Sequence, residues 1–163
     1  MSRSRIYTLG VLLAIAAWVS ASAAGAAVAY KPVEVLAREA ELVAVATVLS
    51  VRDDPSTSSA VARLELERVL KTPPGFNAKQ VDVLFPTVRA VPGTGMARAT
   101  SGGPRYVTGE RVVVFLTPAA GGASFETVGG ALGRRRIDGG RVEGEDSGID
   151  QFLARIRAVL DSP

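Results

Sequence analysis

At 163 residues, 47% of them apolar, the chain is long enough to bury one core without help from a metal or a disulfide. It has neither cysteine nor histidine, which excludes disulfides, thiolate zinc sites, Ser-His-Asp and Cys-His catalysis, histidine metal ligation and a histidine pH switch. Its net charge of +3 is too slight for general nucleic-acid binding, which needs a clustered basic face.

Residues 1–29 read as a secretory leader. Arg3 and Arg5 make a basic start, Tyr7 to Val19 an apolar core, and Ala21-Ser22-Ala23, Ala24-Gly25-Ala26 and Ala27-Val28-Ala29 are small-x-small cleavage sites. A retained anchor is the alternative, since about 20 apolar residues span a bilayer. The Ala/Ser/Gly-rich run from Ser20 to Ala29 favours cleavage. No cysteine follows the apolar core and no arginine pair precedes it, against lipoprotein anchoring and twin-arginine export. The expectation is export to periplasm or medium, membrane contact only through the leader, and a single domain over residues 30–163.

Pro32 suits the start of a short helix to Ala40, with Val33, Leu36, Ala37 and Ala40 on one side. Glu41–Arg52 is a long strand with apolar residues on both faces, ended by the polar turn Asp53–Ser58. The next strand alternates Ala60, Ala62, Leu64 and Leu66 with Val61, Arg63, Glu65 and Glu67, until Val69 and Leu70 break the phase. One inserted residue near Arg68, a β-bulge, restores it. Gln80–Phe85 is a third strand. Gly109-Glu110-Arg111 then leads into Val112-Val113-Val114-Phe115-Leu116, a strand covered on both faces and the centre of the sheet. Ser124–Val128 follows, then a hairpin about Asp138-Gly139-Gly140 within Arg134–Val142. The last element is a helix after a Ser147 cap, with Ile149, Phe152, Leu153, Ile156, Val159 and Leu160 at helical spacing. These elements predict an all-β fold: an antiparallel five- or six-stranded OB-like barrel with a short N-terminal helix and a C-terminal amphipathic helix.

The run Pro104-Arg105-Tyr106-Val107-Thr108-Gly109-Glu110-Arg111-Val112-Val113-Val114-Phe115-Leu116, then Gly129-Gly130-Ala131-Leu132-Gly133, resembles small exported bacterial proteins of uncharacterised role. Leu42–Val48 and Leu66–Lys71 share the resemblance. The fold it implies is similar to the OB-like barrel of netrin-like domains and tissue inhibitors of metalloproteases. Those inhibitors chelate the target zinc through an N-terminal cysteine. This chain has no cysteine, so the mechanism does not carry over, and fold likeness alone carries no function.

Stretches that imitate chemistry have structural explanations. Glu143, Glu145, Asp146 and Asp150 lack the ligand spacing of a calcium loop and suit a helix N-terminus, where Ser147 and Asp150 imitate a capping box. Gly93-Thr94-Gly95 and Gly102-Gly103 lack the lysine-serine/threonine ending of a phosphate loop. Arg134-Arg135-Arg136 alternates across a strand and reads as solvated. No cofactor, metal or catalytic constellation is expected. The competing class is a hydrolase of envelope polymers, for which Glu126 and Asp138 are the carboxylate pair that flanks the glycine-rich bend.

Residues 86–108 are too long for an ordinary connection, and such loops carry function or are disordered. No acid lies between Asp82 and Glu110, while Arg89, Arg98 and Arg105 do. Met96 and Tyr106 add adaptable and amphipathic contacts. Exposed ion pairs contribute about 0–1 kcal/mol each, so shape and apolar contact must supply the rest. The expected function is a non-catalytic exported module that binds another exported protein, such as a protease, through Arg89, Met96, Arg98, Arg105 and Tyr106. The rival is a structural envelope protein.

Overall fold

The computed structural model describes residues 30–54, 59–87, 89–90, 97–98 and 103–162. The expected leader, the tip of the turn at 55–58, and Met96 lie outside them. Within them, no helix is long and apolar enough to cross a membrane. The elements are α1 (Val33–Glu39), β1 (Leu42–Asp54), β2 (Ser59–Lys71), β3 (Gln80–Pro86), β4 (Arg89–Ala90), β5 (Ala97–Arg98), β6 (Arg111–Pro118), β7 (Phe125–Thr127), a 3-10 turn (Gly130–Gly133), β8 (Arg134–Asp138), β9 (Arg141–Val142) and α2 (Ile149–Leu160).

The apolar run Val112–Leu116 is buried throughout because β6 uses both edges and both faces. One edge pairs with β1, from Leu42 opposite Leu116 to Thr47 opposite Arg111. The other is divided, with β7 along Leu116–Pro118 and β8 along Arg111–Val114. Strand alternation then sorts the side chains. Val112, Val114 and Leu116 enter the barrel, while Val113 and Phe115 face the helices. Neighbouring β1 divides likewise, with Ala44 and Ala46 inward and Val43 and Val45 outward. The β1–β6 wall thus serves two cores, one inside the barrel and one beneath α1 and α2.

Strands β1, β2, β3, β7 and β6 pair in that order and β6 returns to β1, closing a five-stranded barrel. This is consistent with an OB-like barrel; β8 and β9 extend the sheet beyond it. The expectation of a purely antiparallel sheet needs correction at one seam, where β3 and β7 run parallel. Strands around a closed ring can alternate in direction only if their number is even. A five-stranded barrel must therefore contain a like-directed pair.

The expected bulge is present as two register slips. The β1–β2 pairing passes from Lys71 to Val69 and from Arg68 to Leu66 while β1 advances one residue each time. Leu70 and Glu67 are skipped, on either side of Arg68. Their effect is a change of side: Leu66 packs on the barrel core and Leu70 on the helix layer. Four residues of unbroken strand would have left both on one face. The hairpin at Asp138 forms as read, with Gly139 and Gly140 at φ 54° and 79°, which two central residues of a type I′ turn require.

Helix α1 buries Val33, Leu36 and Ala37, and α2 buries Phe152, Leu153 and Ile156. Each large side chain contributes about 1.5–3 kcal/mol by leaving water. The Ser147 cap is not used. Gly148 is the N-cap and makes no side-chain cap bond. The Ile149 N–H instead donates to the Gly140 carbonyl (2.9 Å), so a backbone acceptor from the hairpin satisfies a donor that a serine hydroxyl was expected to meet. The nearby acids go to separate arginines: Glu145 to Arg155 (2.8 Å) and Asp150 to Arg68 (3.2 Å).

Candidate functional site

The parallel seam between β3 and β7 and the long 86–108 connection meet at one place, and Tyr106 marks it. Only two residue pairs close the seam, Val83 with Phe125 and Leu84 with Glu126. Beyond them, at the end of β3 where the connection leaves, Tyr106 fills the space. It is 5% exposed and belongs to the barrel core. Its ring centroid lies 5.2 Å from that of Phe85, and its hydroxyl is 2.8 Å from Thr127 Oγ1. The Arg134 guanidinium lies 5.8 Å from the ring centroid. Burial pushes the phenol up to about 12, against the opposing pull of the Thr127 hydrogen bond and the Arg134 charge.

Arg134 is held in place by Glu110, with which it forms a charge-assisted hydrogen bond; their side chains are only 13% and 19% exposed. Its Nε has no partner among the described residues. The aromatic face supplies part of what water would have given that cation. This corrects the reading of Arg134 as a solvated strand residue. It lies opposite Val114 on the β6–β8 ladder, where its guanidinium packs over the buried Tyr106 ring and pairs with Glu110. Arg136 does stay half exposed.

The exit of the connection is thus fixed at several points. Tyr106 is plugged into the barrel, the Gly109 N–H donates to the Val48 carbonyl (2.8 Å), and the Val48 N–H donates to the Glu110 carbonyl (2.9 Å). Gly103 lies against Pro86, leaving no room there for a Cβ. Around this base, Val107 is 56% and Leu49 38% exposed, and Arg105 is exposed. Within the connection, β4 and β5 form a two-residue antiparallel ladder that sets Arg89 directly opposite Arg98.

Of the five residues expected to bind, Tyr106 is the one the structure reassigns. From the sequence it is an amphipathic contact of the loop; in the structure it is buried in the barrel core, its ring against Phe85 and its hydroxyl on Thr127 at the end of β7. Arg105 remains outside, and Arg89 and Arg98 are paired in backbone register. The side chains of Arg89 and Arg98, and Met96 altogether, fall outside the described residues. Glu110, Thr127 and Arg134 were missed as a group. Nothing in sequence spacing connects positions 106, 110, 127 and 134; only barrel closure does.

Glu126 and Asp138 are not brought together. Glu126 sits beside Thr117, and Asp138 lies one residue past the Ile137–Arg111 pair. Along β6 that separation is roughly 20 Å at about 3.3 Å per residue, where a glycosidase pair needs about 5–9.5 Å.

At the opposite end of the seam lies a cleft of about 430 Å³, bordered by Phe76, Gln80, Asp82, Gly122, Ala123 and Phe125. Arg63 crosses its floor to bind Asp82 through two bonds, 2.8 and 2.9 Å. The Arg63 hydrogen bond holds the Asp82 carboxyl below the usual carboxylate range. Compared with protein-family models and with curated proteins, the chain matches none.

Proposed function

We propose that this chain is an exported, non-catalytic binding module that contacts another exported protein through the 86–108 segment and the barrel rim beside it. The observation that carries this reading is a firmly seated base beneath a long connection that holds three arginines and no acid. Tyr106 and the Val48–Gly109–Glu110 bonds fix where the segment leaves the barrel. Beyond that base, Arg89 opposes Arg98 in a stretch with no acid between Asp82 and Glu110. A stretch with three arginines and no acid is complemented by an anionic partner. Exposed Val107 and Leu49 beside it offer the apolar contact that charge alone lacks. The partner is therefore an exported protein with an acidic surface. A protease is one candidate, solely on the sequence resemblance to proteins whose implied fold is similar to netrin-like and metalloprotease-inhibitor domains, although a cysteine-based zinc contact is closed to this chain. Export rests on the leader at residues 1–29.

The test is a pull-down from the native secreted or envelope fraction, with Arg89, Arg98 and Arg105 all changed to Glu. The triple variant is expected to keep wild-type urea stability and to lose the partners that wild type recovers at low salt. Recovery of the same partners by the variant, or of none by wild type, defeats the reading. Mass spectrometry of the purified protein is expected to find an N-terminus between Ala24 and Tyr30; Met1 or Ser2 retained in the membrane fraction would instead mean an anchored protein.

A further inference from the structure

The barrel seam is sealed at one end by Tyr106 and closed in the middle by two residue pairs. At its other end it stands open. The cause is local. Gly121 and Gly122 adopt left-handed φ of 101° and 71°, and the turn folds back on itself through Ala119 N–H to Ser124 O (2.8 Å) and Gly122 N–H to Ala119 O (3.0 Å). The chain therefore reaches β3 only at Phe125, opposite Val83, and leaves Gln80–Asp82 without a neighbouring strand on that side among the described residues.

Which backbone groups are left follows from the ladder. The Leu66 N–H donates to the Lys79 carbonyl (2.8 Å), and Glu65 lies opposite Gln80. In an antiparallel pair, alternate residues direct their N–H and C=O to opposite edges. Lys79 and Val81 therefore face β2, and Gln80 and Asp82 face the cleft. The cleft has one apolar end, where Phe76 and Phe125 meet edge to face at 6.0 Å. Its charged floor, Arg63 with Asp82, is already neutral. Lys79, between the lining residues Ala78 and Gln80, is exposed and forms no ion pair among the described residues.

We propose that this cleft is a binding site for an extended peptide segment of a partner protein, which adds to β3 as a short strand in line with β7. The chemistry selects the occupant. A free strand edge is matched by another backbone with the same spacing of donors and acceptors. The Phe76–Phe125 wall takes one aromatic or branched side chain, and Lys79 favours an acidic residue beside it. The site lies at the Gln80 end of β3, whereas the 86–108 connection leaves from the Pro86 end, so the two surfaces are separate and neither proposal needs the other.

The test is a heteronuclear NMR titration of the protein, as the host delivers it, with the blocked peptide acetyl-Thr-Val-Phe-Val-Glu-amide. The expected result is saturable shifts at Gln80, Asp82, Gly122 and Ala123 and in the rings of Phe76 and Phe125, with the amides of Arg105–Glu110 unmoved. A peptide with identical side chains but alternate backbone nitrogens methylated is expected to bind at least tenfold more weakly. Lys79→Glu is expected to weaken the unmodified peptide several-fold without changing the fold. Equal binding of the methylated peptide would mean a side-chain pocket and defeat the proposal. So would shifts elsewhere, or a single-stranded oligonucleotide displacing the peptide from this cleft. The methylation arm changes only the ligand, so its outcome does not depend on any variant folding.

Discussion

Burying a phenol in a small barrel favours its neutral form, and at Tyr106 the consequence is a stability that depends on alkaline pH. The ordinary phenol titrates near 10, and burial pushes this one up to about 12. Below pH 10 both folded and unfolded chains hold the proton and the contribution is fully present. As pH rises from 10 through 12 the unfolded chain releases its proton first, so stability falls across that window and levels off above it. The whole displacement corresponds to about 3 kcal/mol at most. Tyr106→Phe is expected to cost about 1 kcal/mol at pH 7, by leaving Thr127 Oγ1 without its partner, and to flatten the decline between pH 10 and 12. Urea unfolding of both proteins across that range checks this. Parallel alkaline profiles would place Tyr106 in contact with water, contrary to its burial.

At the scale of elements, the joint between β7 and β8 is governed by one glycine. A Cβ at Gly133 would collide with the Val128 carbonyl and sit 2.9 Å from Thr127 Cγ2. Backbone cannot yield there without lifting β7 or β8 from β6, because β6 pairs with both along one edge. Gly133→Ala is expected to destabilise by about 3 kcal/mol or more, with the largest gain in amide exchange at Thr127, Val128 and Arg134–Arg136. Gly139 serves as the contrast: a Cβ there would meet nothing within 4 Å, but φ is 54°. Gly139→Asn, suited to a left-handed turn position, is expected to cost under about 1 kcal/mol. The bulge near Arg68 was legible because two apolar residues fell out of phase with the strand before them. The seal by Tyr106 was not, since an isolated tyrosine in a glycine- and arginine-rich stretch carries no periodicity.

For the molecule as a whole, the shared β1–β6 wall makes the two cores one folding unit. Phe152 lies on the helix side and Leu64 inside the barrel, both fully buried. Phe152→Ala is expected to cost about 3–5 kcal/mol and Leu64→Ala about 2–5 kcal/mol. Each is expected to lower one common urea transition and to speed exchange at Ala44 and Val45 of β1 equally per kcal/mol lost. Two separated transitions in the Phe152→Ala protein would show that the helix layer melts alone and that the wall does not couple the cores.

Local pattern and tertiary closure divide responsibility for this fold by the range of the forces involved. The amino-acid sequence alone determined the two helices and the barrel strands, though not the β4–β5 ladder or the 3-10 turn at Gly130–Gly133, since alternation with period two and recurrence at three and four residues depend only on near neighbours. It also determined the two-faced burial of β1 and β6, the phase break in β2, and the absence of histidine and cysteine chemistry. The direction of the β3–β7 pair was decided by ring closure with an odd strand count, a property of no single segment. The inward turn of Tyr106, its setting beside Arg134 and Glu110, and the open cleft beside Gln80 likewise come from where five strands meet. Residues far apart in the chain become neighbours there by geometry, and their identities carry no mark of it beforehand.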